Sequence, residues 1–303
     1  MPTITLFGYI CRDRNILPDG SQSEIVGGKG LFTAAALSRS GVQTNLVTWL
    51  PEKDTALLDA LQNYPVTTFV IPIPTGTINT NTHDGDATRA TTIMDPMSIE
   101  PKHLTADIRS ALAQSDGIQI SPDLSGKISL ETFAFLHNEY GEKISLDAGK
   151  YYRTLAPGGQ LIPQDTWPER AAYLAHLHTI FLSREDIEPL LATGASLRQI
   201  AEEFSVLGPK EVIITLGSKG AFVFDAAAKT AYDIPAFPPK QVFDPTGAGD
   251  TFLGAYLGSR AQGHGCESAG RFASMAASAK LNYAGPLRET AEEIEAMLAR
   301  ASA

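Results

Sequence analysis

Cysteine is scarce: Cys11 and Cys266 are the only two, far apart and without metal-ligand spacing. That excludes a disulfide framework and a thiolate metal site, and a reducing cytoplasm is the expected setting. Long apolar runs are missing too, and none reaches the length needed to cross a bilayer. The opening Met1-Pro2-Thr3-Ile4-Thr5-Leu6-Phe7-Gly8 has no basic stretch and turns polar at Arg12-Asp13, so it reads as a strand and not as a secretion signal. Basic side chains are outnumbered, 24 against 34 acidic, for a net charge of −10. A surface of that sign is a poor partner for nucleic acid or for an anionic membrane. It does not exclude a small anionic ligand, because a nest of backbone N–H groups binds phosphate whatever the net charge. With 43% hydrophobic and 19% charged residues, the chain has the balance of a folded protein and not of a disordered one.

What is present is an alternation. Strand-like runs at 4–10, 45–50, 67–73, 117–120, 143–147, 179–182 and 212–216 are mostly separated by helix-period stretches, as at 29–40, 54–62, 104–114, 130–140 and 197–204. This pattern predicts an α/β fold: a doubly wound, mostly parallel sheet with helices on both faces. No repeat or low-complexity linker divides the chain, so a single domain over 1–303 is expected. Two segments, about 13–26 and 76–94, break the alternation. The first holds the turn Pro18-Asp19-Gly20-Ser21, and the second holds Asp84-Gly85-Asp86 between Thr-rich runs. Both predict β-hairpins. Their polar faces make poor core, so they either decorate the surface or together form a small β lid. From 221 to 244 the pattern turns antiparallel, with runs at 222–224, 230–234 and 241–243. Helices over 248–260, 267–281 and 289–300 follow.

The richest stretch is Phe243-Asp244-Pro245-Thr246-Gly247-Ala248-Gly249-Asp250, which runs into a helix. Glycines let backbone approach a ligand closely. The unsatisfied N–H groups of Gly247, Ala248 and Gly249 at a helix start make an anion site. A carboxylate beside such a site repels a resting anion. It suits a phosphoryl group in transit to a hydroxyl that must lose its proton, with Asp250 as general base and the amides stabilising the transferring charge. Taken alone, Asp250 reads equally as a first-turn acid interacting with the helix dipole. The segment is not a Walker A loop, for no Gly-Lys-Ser/Thr occurs in it, and the protein-kinase signatures are absent.

Asp-Pro-Thr-Gly-Ala-Gly-Asp entering a helix resembles the C-terminal signature of the ribokinase/PfkB carbohydrate kinases. Val26-Gly27-Gly28-Lys29-Gly30 is similar to the family's N-terminal glycine motif, and Thr215-Leu216-Gly217-Ser218-Lys219-Gly220 to its nucleotide-phosphate loop. Asp13, just after the first strand, sits where the family's sugar-binding Asp lies. The four motifs together span most of the chain. The resemblance implies a doubly wound domain with a β lid, and transfer of the ATP γ-phosphoryl group to a hydroxyl of a small polyhydroxylated acceptor, with Mg2+. It implies substrate contacts at Asp13, Gly27 and Gly28 and nucleotide contacts at Thr215, Thr246, Gly217 and Gly220, with Lys219 nearby at the surface. Asp13 as a solvated loop residue, Gly27-Gly28 as a bare strand-to-helix turn, and 215–220 as an ordinary β-turn are the plain alternatives. Arg153 is a candidate for a phosphate or substrate oxygen, or a solvated side chain.

Two departures matter. Members often have an Asn that touches the sugar where this chain has Phe32, and a phenyl ring cannot replace amide hydrogen bonds, so ribose is a poorer fit. The family's Asn-x-x-Glu motif maps onto Ser183-Arg184-Glu185-Asp186, which keeps a carboxylate for Mg2+ at Asp186 and loses the amide at Ser183. Phe32, Pro245 and the start Gly8-Tyr9-Ile10-Cys11-Arg12-Asp13 look most similar to the myo-inositol kinase-like branch. Many members bind a monovalent cation such as K+ near the signature loop; here Asp244 with carbonyls around 279–285 is the corresponding place. A nucleoside acceptor, or a catalytically silent ligand-binding protein on the same fold, are the rival readings, and a monomer or homodimer is expected.

Overall fold

The structure, a computed structural model, describes residues 1–16, 19–84, 87–124 and 126–301. Pro18 and the Gly85-Asp86 pair, both read as hairpin tips, lie outside the described residues.

In chain order, β1 (Thr3–Gly8) is followed by a hairpin of β2 (Cys11–Ile16) and β3 (Gln22–Gly27), then by α1 (Lys29–Arg39). β4 (Gln43–Leu50) and β5 (Val66–Pro72) precede a second hairpin, β6 (Thr77–Asp84) with β7 (Ala87–Ile93). Next come α2 (Ala106–Ala113), β8 (Gly117–Ser121), α3 (Leu130–Tyr140) and β9 (Ile144–Asp147), then a short ribbon of β10 (Arg153–Leu155) and β11 (Leu161–Pro163). α4 (Arg170–Leu174), β12 (Thr179–Ser183), α5 (Glu188–Ala192), α6 (Leu197–Val206) and β13 (Glu211–Thr215) complete the alternation. β14 (Ala221–Asp225), β15 (Thr230–Ile234), α7 (Ala248–Ala261), α8 (Cys266–Lys280) and α9 (Ala291–Ala301) follow.

The main sheet runs β15-β14-β13-β12-β9-β8-β1-β4-β5. From β13 to β5 every pair is parallel, and β14 and β15 add an antiparallel edge. Parallel strands are covered on both faces, which is why they read as unbroken apolar runs. Within β13, Val212 and Ile214 share one core with Ile200 and Phe204 of α6, whereas Ile213 joins Phe252 and Tyr256 of α7 in another. The chain builds outward from β1 to β5 and then returns to β1's other side at β8. Strand order therefore reverses between β1 and β8, and ligands of such sheets bind beyond the carboxyl ends at that switch point.

The two hairpins join into a separate sheet of order β3-β2-β6-β7, with β2 and β6 parallel. Leaving and returning strands lie side by side, Cys11 opposite Gly27. The crossing is possible only with glycine. Gly28 has φ 100°, and a Cβ there would lie 2.5 Å from the Tyr9 carbonyl oxygen.

Three expectations differ in detail. The strand expected over 4–10 ends at Gly8, because the chain turns into the small sheet. Helix 54–62 is a 3-10 helix over Glu52–Leu61 in which only Asp54, Leu57 and Leu61 are buried, too little packing to hold a regular α-helical face. The run 241–243 forms no strand: Phe243 N–H donates to the Leu281 carbonyl at 2.8 Å, and Gln241 N–H to Asn282 Oδ1 at 3.2 Å. Among the described residues no helix is long and apolar enough to cross a membrane.

A buried ion pair fixes α7 against the sheet. Glu211 is 4% exposed and accepts from the Tyr256 hydroxyl at 2.8 Å and from Arg260 Nε at 3.0 Å and Nη2 at 2.5 Å. Removing one partner strands the others. Glu211→Ala is expected to lower unfolding free energy by roughly 3 kcal/mol, towards the lower end for buried pairs because Arg260 can reach water. Urea denaturation, read as a fall in the midpoint at unchanged m-value, checks it.

Candidate active site

At the start of α7, Gly247 occupies the N-cap with φ 76°, a left-handed conformation that glycine adopts without strain, and no side chain caps the helix. The turn is held from inside. Thr246 N–H donates to Asp244 Oδ1 at 2.9 Å, Ala248 N–H to the Pro245 carbonyl at 3.2 Å, and Thr251 N–H to the Gly247 carbonyl at 2.8 Å. The Ala248 amide is thus engaged within the loop. Among the described residues the amides of Gly247, Gly249 and Asp250 have no acceptor, where the sequence reading had the set 247–249.

Asp250 follows in the same turn, beside charges delivered by other elements. Lys29, the first residue of α1, makes an ion pair with Asp147 at the carboxyl end of β9. Lys150, just beyond that strand, adds a second ammonium. Burial is the chief influence on Asp250 and lifts its carboxyl to about 6; Lys29 and Lys150 pull it down, and Asp147 pushes it up. For Lys29, burial alone would depress the ammonium, but Asp147 and Asp250 together outweigh it and raise it. Lys150 is lowered to about 8 by burial first, then by repulsion from Lys29 and Arg153. Two lysines and two aspartates thus meet where the strand ends converge, with the Asp250 carboxyl lifted nearer neutrality than an ordinary Asp.

The small sheet supplies the opposite wall. Asp13 on β2 accepts from Asn79 Nδ2 at 2.8 Å, and Asn79 Oδ1 accepts from the Thr92 hydroxyl at 3.0 Å. The three are register partners across β2, β6 and β7, so they share one face. The neighbouring Gly27 leaves room for that carboxylate: a Cβ would sit 1.9 Å from Asp13 Oδ2. Buried Tyr9 has its hydroxyl pushed well up by burial first, then by Cys11, Asp250, Asp123 and Asp13. Asp123, 1% exposed beyond β8, accepts from Trp49 Nε1 at 3.2 Å and from the Thr77 hydroxyl at 2.7 Å. It braces the main domain against the foot of β6.

On the other side lies the turn Gly217–Lys219, between β13 and β14. Gly220 has φ 94°, and a Cβ there would lie 2.0 Å from the Ile234 carbonyl oxygen, so the loop is pressed against the end of β15. Thr215 directs its hydroxyl to the Leu182 carbonyl at 3.4 Å. Beyond Asp244 a cavity of about 940 Å3 opens between the 237–241 segment and α8, lined by Phe237, Pro238, Met275, Ala279, Asn282 and Tyr283 among others.

Neither expected cation ligand is a free carboxylate. Asp186 Oδ2 accepts from the Ser183 amide at 2.8 Å and its hydroxyl at 2.7 Å, while Oδ1 faces Arg153 Nη2 at 3.4 Å. It closes the turn after β12 and does not fit a direct metal ligand. Among the described residues no three His, Cys, Asp or Glu side chains gather to hold a metal ion. Asp244 is engaged too: its carbonyl accepts from Lys280 Nζ at 2.7 Å, and its Oδ2 lies 3.5 Å from the same atom. Burial alone would raise this carboxyl, but the Thr246 contacts and Lys280 hold it below its usual range. Phe32 is 4% exposed with its ring under the loop, where a Cβ on Gly247 would be 2.2 Å from the ring.

Asp250, Asp13, Gly27, Gly28 and the 244–249 turn therefore gather around one cleft. Lys29, Asp147, Lys150, Asn79 and Lys280 are the participants that sequence reasoning passed over. Lys29 stands inside the quoted Gly27-Gly28-Lys29-Gly30 motif, and Asp147 ends a strand, a position worth reading at a switch point. Asn79 and Lys280 carry no local signal.

Residues 1–292 match the pfkB family carbohydrate kinase. A cytidine kinase of Thermococcus kodakarensis is 25% identical over 289 residues, 88% of this chain and 91% of that protein. Ribokinase of Bacillus subtilis is 28% identical over 278 residues, 89% of this chain and 87% of its own. In structure, a pyrophosphate-dependent kinase of the ribokinase family, solved with a pyrophosphate analogue and myo-inositol, superposes with a TM-score of 0.80 at 25% identity, covering 97% of this chain and 99% of that one. Such a match over nearly the whole length, on a fold with this cleft, makes the chain a member of the pfkB family of carbohydrate kinases.

Proposed function

We propose that this kinase transfers the γ-phosphoryl group of ATP to a hydroxyl of a small sugar or cyclitol, with Asp250 as general base. The observation that carries the reading is the coincidence, in one helical turn, of three amides without acceptors and a carboxylate lifted to about 6. The acceptor oxygen forms its bond to γ-phosphorus as the bridging oxygen bond breaks; ADP leaves with that electron pair, and the hydroxyl proton passes to Asp250. Amides of Gly247, Gly249 and Asp250 stabilise charge on the transferring group. Lys29 and Lys150 offset the charge of the donor phosphates as they enter. Mg2+ carried by the donor would neutralise phosphate charge, and no step here depends on a protein-bound metal.

The Asp13–Asn79 pair supports recognition of acceptor hydroxyls, since a carboxylate accepts from one and an amide orients its neighbour. Closing the small sheet over the cleft would exclude water, the competing acceptor. The donor is argued from the cavity beyond Asp244. Its apolar and aromatic lining suits a nucleobase, for which pyrophosphate has no use. The relatives keep two other outcomes open to measurement: a nucleoside acceptor, as for the cytidine kinase, and a pyrophosphate donor, as for the structural neighbour.

Three measurements test the reading. Purified protein with ATP should release ADP with at least one of a panel of sugars, cyclitols and nucleosides; silence across the panel sinks the ATP-dependent reading. Asp250→Asn should cut kcat by about 10²–10⁴-fold, the worth of a positioned base, while ATP binding by calorimetry stays near the wild-type value. The base works only when ionised, so kcat/KM should fall as pH drops through about 6, the value to which burial raises Asp250. A limb absent from the wild-type profile, or retained in the Asn variant, would assign the titration to another group.

A further inference from the structure

Lys280 ends α8 with its side chain 0% exposed, in a class of residue that is almost never fully buried unless paired. Its ammonium meets the Asp244 carbonyl at 2.7 Å and Asp244 Oδ2 at 3.5 Å, and stands 5.7 Å from the centre of the Phe32 ring. Every one of these partners belongs to the catalytic turn or lies beneath it. Asp244 Oδ1 in turn holds the Thr246 amide at 2.9 Å, and Phe32 abuts Gly247. A continuous set of contacts thus runs from Nζ through Asp244 and Thr246 to the amides without acceptors. These oxygens are the place where the family resemblance expects a free monovalent cation. The residues present do not fit one: a compact ammonium already lies on these oxygens, and its charge repels a second cation at the same place.

We infer that Lys280 is a built-in cation that holds the 244–247 turn in its anion-binding form, so that phosphoryl transfer needs no free monovalent cation. The inference rests on the kinase reading above. Lys280 acts through Asp244 and touches no substrate, which makes it a positioning residue. Phe32 sets its ring 5.7 Å from the ammonium, a role beside the one at the acceptor that the resemblance implies.

The test uses the full chain, with K+, Na+, NH4+ or tetramethylammonium as sole monovalent cation at fixed ionic strength. Wild-type kcat and KM should agree across the four within about twofold, since no interaction with the added ion enters the rate. The wild-type thermal midpoint should also be the same in all four. Lys280→Ala opens space beside the same oxygens. It should lower kcat by about 10–100-fold through the displaced amides, with K+ or NH4+ restoring rate and thermal midpoint where tetramethylammonium does not. Tenfold or greater stimulation of wild type by K+ over tetramethylammonium overturns the inference. So does a folded Ala variant that keeps wild-type kcat, or one that is slow and blind to every cation, since Lys280 would then only fill space. If the variant does not fold, the wild-type series decides alone. A wild type inactive in every salt refutes the kinase reading instead, and the thermal midpoints still report on the cation.

Discussion

An α-helix that begins without a side-chain cap leaves N–H groups aimed at whatever lies before it, and they must find an anion or water. In this protein that requirement governs the cleft. Gly247 takes a backbone conformation that a side chain would resist, and the turn spends only one of its forward amides on itself. The rest have no acceptor within the described residues. Everything around them has to keep the turn open without filling it: Asp244 ties down Thr246, Lys280 ties down Asp244, and Phe32 supports Gly247 from below.

The same cleft solves a problem of charge. A base among phosphates is useful only if it stays ionised at working pH yet is basic enough to take a proton. Burial raises Asp250, and Lys29 stops the rise from going too far. Asp147 keeps Lys29 from approaching Asp250 as a fixed partner, because it holds that ammonium itself. The local balance of two acids and two ammonium groups is neutral in a chain whose total is −10. Net charge over the surface therefore says little about the polarity of the site.

Much of this was legible in the sequence because it is local. Glycine-rich turns, a carboxylate one step inside a helix and alternating strand and helix periods are all written in consecutive residues. Both hairpins followed from turn chemistry, and their joining into one sheet was one of the two readings that faces too polar for core left open. What escaped depends on distance along the chain. Lys29 and Asp147 are separated by 118 positions, and Asp13 and Asn79 by 66. Lys280 looks like any lysine ending a helix until its burial is seen. Asp186 escaped in the other direction: its carboxylate is present as the motif requires, yet it is spent on its own turn and on Arg153. The run 241–243 is β-like in composition, yet its hydrogen bonds go to Leu281 and Asn282 just past the end of α8.

The crossing at Gly27-Gly28 has one more meaning. The backbone that returns from the small sheet passes against the Tyr9 carbonyl and reaches Lys29 one residue later. Asp13, the prospective grip on the acceptor, packs its carboxylate against Gly27, and Lys29 is one of the ammonium groups that hold down the Asp250 carboxyl. Substrate grip and proton affinity are thus mounted on adjacent links of one short lever, with no intervening segment to absorb displacement. Tilting the small sheet by even a fraction of its width would shift Lys29 relative to Asp147 and retune Asp250. In the proposed reaction, occupancy of the acceptor face and strength of the base would be two ends of the same mechanical part.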